Sequence, residues 1–329
     1  MSVGSSTGVL ALLSLGPAFA AMVGGIRQMI AVSGTALVLC GLLATYQDSF
    51  SDHNEQLAFL AVLGVSVAGV IASSLRWRQE RELADVRAIA EVAQRVLLRP
   101  LPASSGPVQM AVRYISASSR AEIGGDLYEV IVTPDGTRVI LGDVQGRGLA
   151  AVKTAATVLG AFRQVAPDAP DLAAISAQIE TTLARELADE EFVTAIVAEV
   201  SQDGSKVELL NRGHPPPLLV AGAGAQLLAA AEGGLPLGLA ELAAPPSHRA
   251  VIELGPGEGI LLYTDGVSEA RNRAGGFFPL VRSQAFGGAD DPEQVLAALS
   301  RELRQHVGHA LDDDAAMLLI RRDLAQDTA

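Results

Sequence analysis

A single cysteine, Cys40, occurs in 329 residues, and it lies inside an apolar run near the N-terminus. That excludes a disulfide framework and a thiolate zinc site, and it leaves the polar part of the chain without a thiol nucleophile. Basic residues are also scarce: 24 Lys and Arg face 37 Asp and Glu, for a formal charge of -13. With no basic stripe to displace counterions from phosphates, nucleic acid is excluded as the main partner. His53, His248, His306 and His309 share no ligand spacing, so no histidine metal cluster is expected. No repeat of fixed period is present.

Apolar residues are abundant, at 49% with a mean hydropathy of +0.32, too apolar for an ordinary soluble enzyme. The excess lies at the front, in Gly8 to Gly25, Met29 to Tyr46 and Leu57 to Leu75. Each is near the length of about 20 residues that a bilayer-spanning helix requires, and none has a polar face. Residues 1–75 are therefore expected to form a membrane domain of about three transmembrane helices. Two alternatives stay open: a buried helical bundle, and a signal peptide in the first segment ending at Ala18-Phe19-Ala20, although no basic residue precedes it. Arg27 follows the first segment, an acidic loop from Asp48 to Glu55 follows the second, and Arg76, Arg78 and Arg81 follow the third. The positive-inside rule then places everything after Leu75 in the cytoplasm.

Residues 76–105 read as a linker. From Arg76 to Arg99 there is no Gly or Pro, and Leu83, Val86, Ala90, Ala93 and Leu97 recur at three- and four-residue steps. That seam fits a short coiled coil pairing two chains into a homodimer, and equally an amphipathic helix packed on its own domain. Pro100 and Pro102 end it.

Residues 106–322 form the third expected unit, followed by a tail over 323–329. Strands are predicted at Val108 to Ala117, Leu127 to Thr133, Thr137 to Gly142, Phe192 to Val200, Lys206 to Asn211, Val251 to Glu253, Gly259 to Thr264 and Ala315 to Arg321. Helices are predicted at Leu149 to Gln164, Asp171 to Leu187 and Pro292 to His306. Strands in runs, then paired helices, then strands again point to an α+β layered sandwich, not a doubly wound parallel sheet.

Four acidic phrases stand beside these strands: Gly124-Gly125-Asp126, Gly142-Asp143-Val144, Thr264-Asp265-Gly266 and Asp312-Asp313-Asp314. Carboxylates at strand ends can converge, and without a cation they repel and raise one another's pKa. A hard divalent metal such as Mg²⁺ or Mn²⁺ resolves that repulsion with oxygen ligands. A phosphate-cradling loop is the rival reading of Gly142 to Gly148, but the segment lacks the lysine and hydroxyl residue of a P-loop and the spacing of a dinucleotide fingerprint. Asp-Gly after a strand is also a common turn, and a run of three aspartates can simply be a solvated one.

In order along the chain, Ala121 to Tyr128, Gly142 to Gly148, Asn211 to Pro217, Tyr263 to Ala270 and Asp313-Asp314 resemble the motifs of the PPM-type metal-dependent protein serine/threonine phosphatases. The branch they resemble is the SpoIIE-like one of bacterial regulatory phosphatases. The resemblance spans about Gly106 to Arg322 and implies a β-sandwich flanked by helix pairs. It implies two Mg²⁺ or Mn²⁺ ions, with Asp143 bridging them and Val144 contributing its main-chain carbonyl. Asp265 and Asp313 would hold the second ion and Asp126 the first, mainly through water; a shift by one within Asp312 to Asp314 stays open. The implied reaction is direct attack of metal-activated water on a phosphoserine or phosphothreonine, and the implied partner is a phosphoprotein such as an anti-sigma-factor antagonist. Arg147 stands where many relatives have a histidine, so the loop supplies no histidine acid and Arg147 is available to bind phosphate. His214, followed by three prolines, reads as a structural corner in preference to a catalytic acid. Two other readings stay open: a phosphatase-fold module that acts by binding, and a metallohydrolase for small phosphate esters.

Overall fold

The computed structural model describes residues 19, 26–46, 53–117, 124–186, 191–229, 233–239 and 249–324. The chain divides into two compact units, one up to Val86 and one from Arg87. The first contains helix α1 (Ile26–Tyr46) and most of helix α2 (His53–Leu97). Among the described residues one segment, Leu60–Glu82, is long and apolar enough to cross a membrane; Arg27–Leu39 is apolar but shorter. One candidate helix among the described residues thus stands where three spans were expected, and the expected membrane domain is not confirmed. The Met29 to Tyr46 segment lies within α1, and Gly8 to Gly25 lies, apart from Phe19, outside the described residues. Leu60, Val67, Ile71 and Leu75 are exposed, which is unlike the core helix of a soluble bundle.

The second unit is built on two antiparallel sheets. Strands β1 (Ser104–Ser105), β2 (Val108–Ile115), β3 (Leu127–Thr133), β4 (Gly136–Val144), β5 (Val193–Ser201), β6 (Lys206–Arg212), β7 (Leu218–Ala221), β8 (Gly224–Leu227), β9 (Arg249–Glu253), β10 (Gly259–Tyr263) and β11 (Ala315–Arg322) divide between them. One sheet has the order β1-β2-β11-β10-β7-β8, the other β3-β4-β5-β6-β9. Chain-distant strands thereby become neighbours: β11 pairs with β2 on one side and β10 on the other.

Strands β10 and β11 are buried on both faces, which is why GILLY and AAMLLI are continuous apolar runs. In β11, Ala316, Leu318 and Ile320 enter the core between the sheets, facing Leu141 and Ile196 of the second sheet. Ala315, Met317 and Leu319 point outward against Leu296, Leu299 and Leu303. Those leucines belong to α6 (Pro292–Val307), capped by Asp291, started by Pro292 and ended by left-handed Gly308. The second sheet is covered by α3 (Leu149–Val165) and α4 (Leu172–Leu183), whose Leu159, Phe162, Ile175 and Ile179 pack on Leu127, Ile140 and Val197. One face therefore carries the expected helix pair, and the other carries α6 with single 3-10 turns at Leu280–Arg282 and Gln284–Gly287. The predicted helix ending at Leu187 stops at Leu183. The β7–β8 hairpin and a one-turn helix, α5 (Asp265–Ser268), appear where no element was expected.

The end of the expected linker packs on this unit. Leu97 and Leu98 join the helix-covered core, Leu98 and Leu101 the inter-sheet core, and Arg163 donates to the Leu97 carbonyl at 2.6 Å while pairing with Glu129. Along the proposed pairing seam, the side chains of Leu83, Val86 and Ala90 lie outside the described ones, while Ala93 and Leu97 are half-buried.

Candidate active site

The four acidic phrases meet at one end of the sandwich because their strands are neighbours there. Residue 266 passes so close to the Asp314 carbonyl that an added Cβ would lie 1.9 Å from it, and a Cβ at residue 125 would lie 2.6 Å from the Val144 carbonyl. Glycine at both positions lets the segments touch. Val144 N–H donates to the Gly125 carbonyl at 3.3 Å, and Thr264 N–H to the Ala316 carbonyl at 3.0 Å.

Asp126 is buried and accepts from the Thr264 hydroxyl at 2.9 Å. Burial first and repulsion from Asp143 second hold its carboxyl well above the usual carboxylate range, against the Thr264 hydrogen bond, which pulls it down. Asp143, the penultimate residue of β4, pairs across the sheet with Thr194. Burial, then the charges of Asp265 and Asp313, push its carboxyl up to about 7. Asp265 opens α5 and is raised by burial, Asp313 and Glu269, while the Gly266 N–H and Arg147 pull it down. Val144 is buried.

Within the aspartate triplet the three residues differ. Asp312 is exposed, and Asp313 is half-exposed and accepts from Arg147 at 2.7 Å. Asp314 is buried and accepts from Tyr114 Oη, from Ala117 N–H at 2.6 Å and from Gly124 N–H at 3.0 Å. Asp313 adds its charge to Asp143 and Asp265 and retains an accessible carboxylate. Arg147, Asp265, Glu269, Arg271, Asp312 and Asp313 line a cavity of about 230 Å³. Asp126 and Asp143 act on this group through charge.

Among the described residues no three acidic or histidine side chains close into a ready ligand cage. The donor set nevertheless suits a hard divalent cation: it is all oxygen, strongly negative, and its members raise one another's pKa. His214 stands apart. Burial pushes its imidazole down to about 3, so it is neutral at physiological pH; its Nδ1 lies 3.1 Å from Thr194 Oγ1. Its main chain exchanges hydrogen bonds with the Asn211 amide at 2.7 and 2.8 Å, which fixes the corner before the prolines.

Sequence reasoning did not single out the residues that hold the carboxylates in place. Thr264 is in sequence only the neighbour of Asp265, yet its hydroxyl also accepts from Ala316 N–H at 2.9 Å and so ties β11 to Asp126. Nothing local marks Tyr114 or Gln94, which reach the site from β2 and α2.

A family model described as Stage II sporulation protein E (SpoIIE) matches residues 133–323, more than half of the chain. The chain belongs to the SpoIIE family. Solved structures agree on the fold. The SiaA-PP2C domain of Pseudomonas aeruginosa matches with a TM-score of 0.62 at 20% identity, covering 75% of this chain and 98% of that one. The PP2C phosphatase domain and regulatory-domain fragment of SpoIIE from Bacillus subtilis matches with a TM-score of 0.56 at 17% identity, covering 67% and 64%. The RsbU and RsbW domains of a Mycobacterium tuberculosis protein match with a TM-score of 0.55 at 22% identity, covering 67% and 61%. The chain thus spans less than two thirds of the length of these last two. The α+β sandwich of the second unit is the phosphatase-type fold of the SpoIIE family, and the acidic cluster lies within the SpoIIE match apart from Gly124 to Asp126.

Proposed function

We propose that this chain is a divalent-metal-dependent protein phosphatase, anchored in the cell membrane, that removes phosphate from phosphoserine or phosphothreonine of a cytoplasmic regulatory protein. The observation carrying the reading is the convergence of Asp126, Asp143, Asp265 and Asp313 on a fold of the SpoIIE family, with Asp143 lifted to about 7 by its neighbours. Asp143, the Val144 carbonyl, Asp265 and Asp313 would hold Mg²⁺ or Mn²⁺ directly, two ions in all, and Asp126 mainly through water. When bound, the ions supply an activated water and neutralise phosphoryl charge. Thr264 orients Asp126 by its hydrogen bond. Arg147 and Arg271 face the same cavity as Asp265 and give a phosphate group charged donors there. His214, neutral and enclosed, supplies no proton, so the departing seryl or threonyl oxygen takes its proton from water. Burial of Asp126 and Thr264 excludes solvent from the base of the site.

Membrane attachment is supported by the apolar, largely exposed Leu60–Glu82 helix and the arginines at its end. Retention of the chain in membranes after a carbonate wash tests it, and release into the wash would sink it. The family resemblance suggests, as partner class, a phosphorylated regulator of the anti-sigma-factor-antagonist kind. The full-length chain in mild detergent should release phosphate from phosphoserine peptides when Mn²⁺ is present, and Asp143→Asn should fall to background. A folded chain that binds Mn²⁺ yet hydrolyses neither phosphopeptide nor p-nitrophenyl phosphate would overturn catalysis and leave a binding module.

A further inference from the structure

Asp314 is fully satisfied without any cation. Its Oδ1 accepts from Ala117 N–H and its Oδ2 from both Tyr114 Oη and Gly124 N–H. It therefore acts as a clamp that joins the segment ending in Asp126 to the triplet containing Asp313. The clamp itself is held from outside the cluster. Gln94, 8% exposed near the end of α2, donates from Nε2 to Tyr114 Oη at 2.8 Å and to the Gly124 carbonyl at 3.2 Å. An amide nitrogen carries two hydrogens, so this pair of bonds uses its full donor capacity. Gln94 thus grips both ends of the clamp: the tyrosine that donates to Asp314, and the glycine, two residues before Asp126, whose N–H also donates to it.

We propose that Gln94 and Tyr114 are positioning residues that set the divalent-metal affinity of the acidic site by holding Asp314 against Gly124. The inference rests on the metal-dependent reading above. Without the Gln94 donors the Gly124 carbonyl loses a buried partner and Tyr114 Oη is free to rotate away from Asp314. The segment leading to Asp126 then loosens relative to Asp313. Neither residue touches metal or substrate, so the effect appears as weaker metal binding, not as loss of the chemistry once metal saturates the site.

The test is titration of Mn²⁺ into the metal-free full-length chain in mild detergent, reading free Mn²⁺ by electron paramagnetic resonance. Gln94→Met keeps length and apolar volume without donors, and Tyr114→Phe removes only the hydroxyl. Each should raise the Mn²⁺ Kd by roughly three- to tenfold, the loss of about one net hydrogen bond. Combined, they should do little more than either alone, because they act in one chain of bonds. Ile179→Val, a core truncation in α4, should lower the melting temperature without moving the Kd. Wild-type Kd in both Gln94→Met and Tyr114→Phe would overturn the inference and leave the metal-dependent reading standing. A Kd raised equally in Ile179→Val would overturn it by tying affinity to general stability. A wild-type chain that takes up no Mn²⁺ would overturn the reading and the inference together.

Discussion

Replacing Asp143 by asparagine should make the metal-free protein more stable while removing its activity. In the folded chain the Asp143 carboxyl is pushed from 3.8 up to about 7 by burial and by Asp265 and Asp313. The folded pKa lies above the unfolded one, so this side chain's favourable contribution is present below about pH 4 and is lost as pH rises through 7. At pH 8 the ionised form is penalised by about three units, and at about 1.4 kcal/mol per unit that sets an upper bound of about 4 kcal/mol. Asparagine keeps the shape and deletes the charge, but it still buries a polar group and removes the hydrogen-bonding relation to Asp126, so a gain of about 2–3 kcal/mol is expected. Urea unfolding of the Arg87–Ala329 unit in EDTA, at pH 5 and pH 8, reads the effect directly. The stability difference between Asp143→Asn and wild type should be small at pH 5 and favour the variant at pH 8. Saturating Mn²⁺ should reverse the order, because only the wild type gains the binding free energy. A variant that is less stable than wild type at pH 8 in EDTA, or a difference that does not change with pH, would refute the crowded-carboxylate argument.

Thr264→Val should destabilise the domain by about 2 kcal/mol, since it leaves Ala316 N–H and Asp126 without a buried partner, and it should also raise the metal requirement for activity; unchanged urea midpoints would count against the bridging role. His214 tests the same linkage with the opposite sign: its folded pKa of about 3 lies below the unfolded 6.5, so its contribution is present above 6.5 and lost on acidification. Relative to His214→Phe, the wild type should lose up to about 1.4 kcal/mol per pH unit between pH 6 and 4, and parallel acid-denaturation curves would show that the imidazole is not held neutral.

The sequence by itself determined most of the element order and the acidic character of the cluster. Apolar runs of strand length with turn residues between them specify strands such as Leu127–Thr133, and the 3.6-residue pattern after Asp291-Pro292 specifies α6, because these signals are local. The four acidic phrases marked out the carboxylates of the cluster for the same reason, since a carboxylate beside a strand end and a glycine is readable within a few residues. The weak apolar hairpin at Leu218–Leu227, with a mostly exposed second strand, and the single turn at Asp265–Ser268 lacked such a signal. Membrane length was read from apolarity alone; among the described residues one helix, Leu60–Glu82, has the length and composition to cross a membrane.

Only the tertiary structure decided how the carboxylates differ. In sequence Asp312, Asp313 and Asp314 are equivalent; in the fold Asp312 is exposed at the rim of the cavity, Asp313 pairs with Arg147, and Asp314 is sealed by Tyr114, Ala117 and Gly124. Their roles follow from partners contributed by β2, β10 and the end of α2, which are up to 220 residues away in the chain, from Gln94 to Asp314. The pairing of β11 between β2 and β10 brings those partners together, and no periodicity within any one segment encodes it.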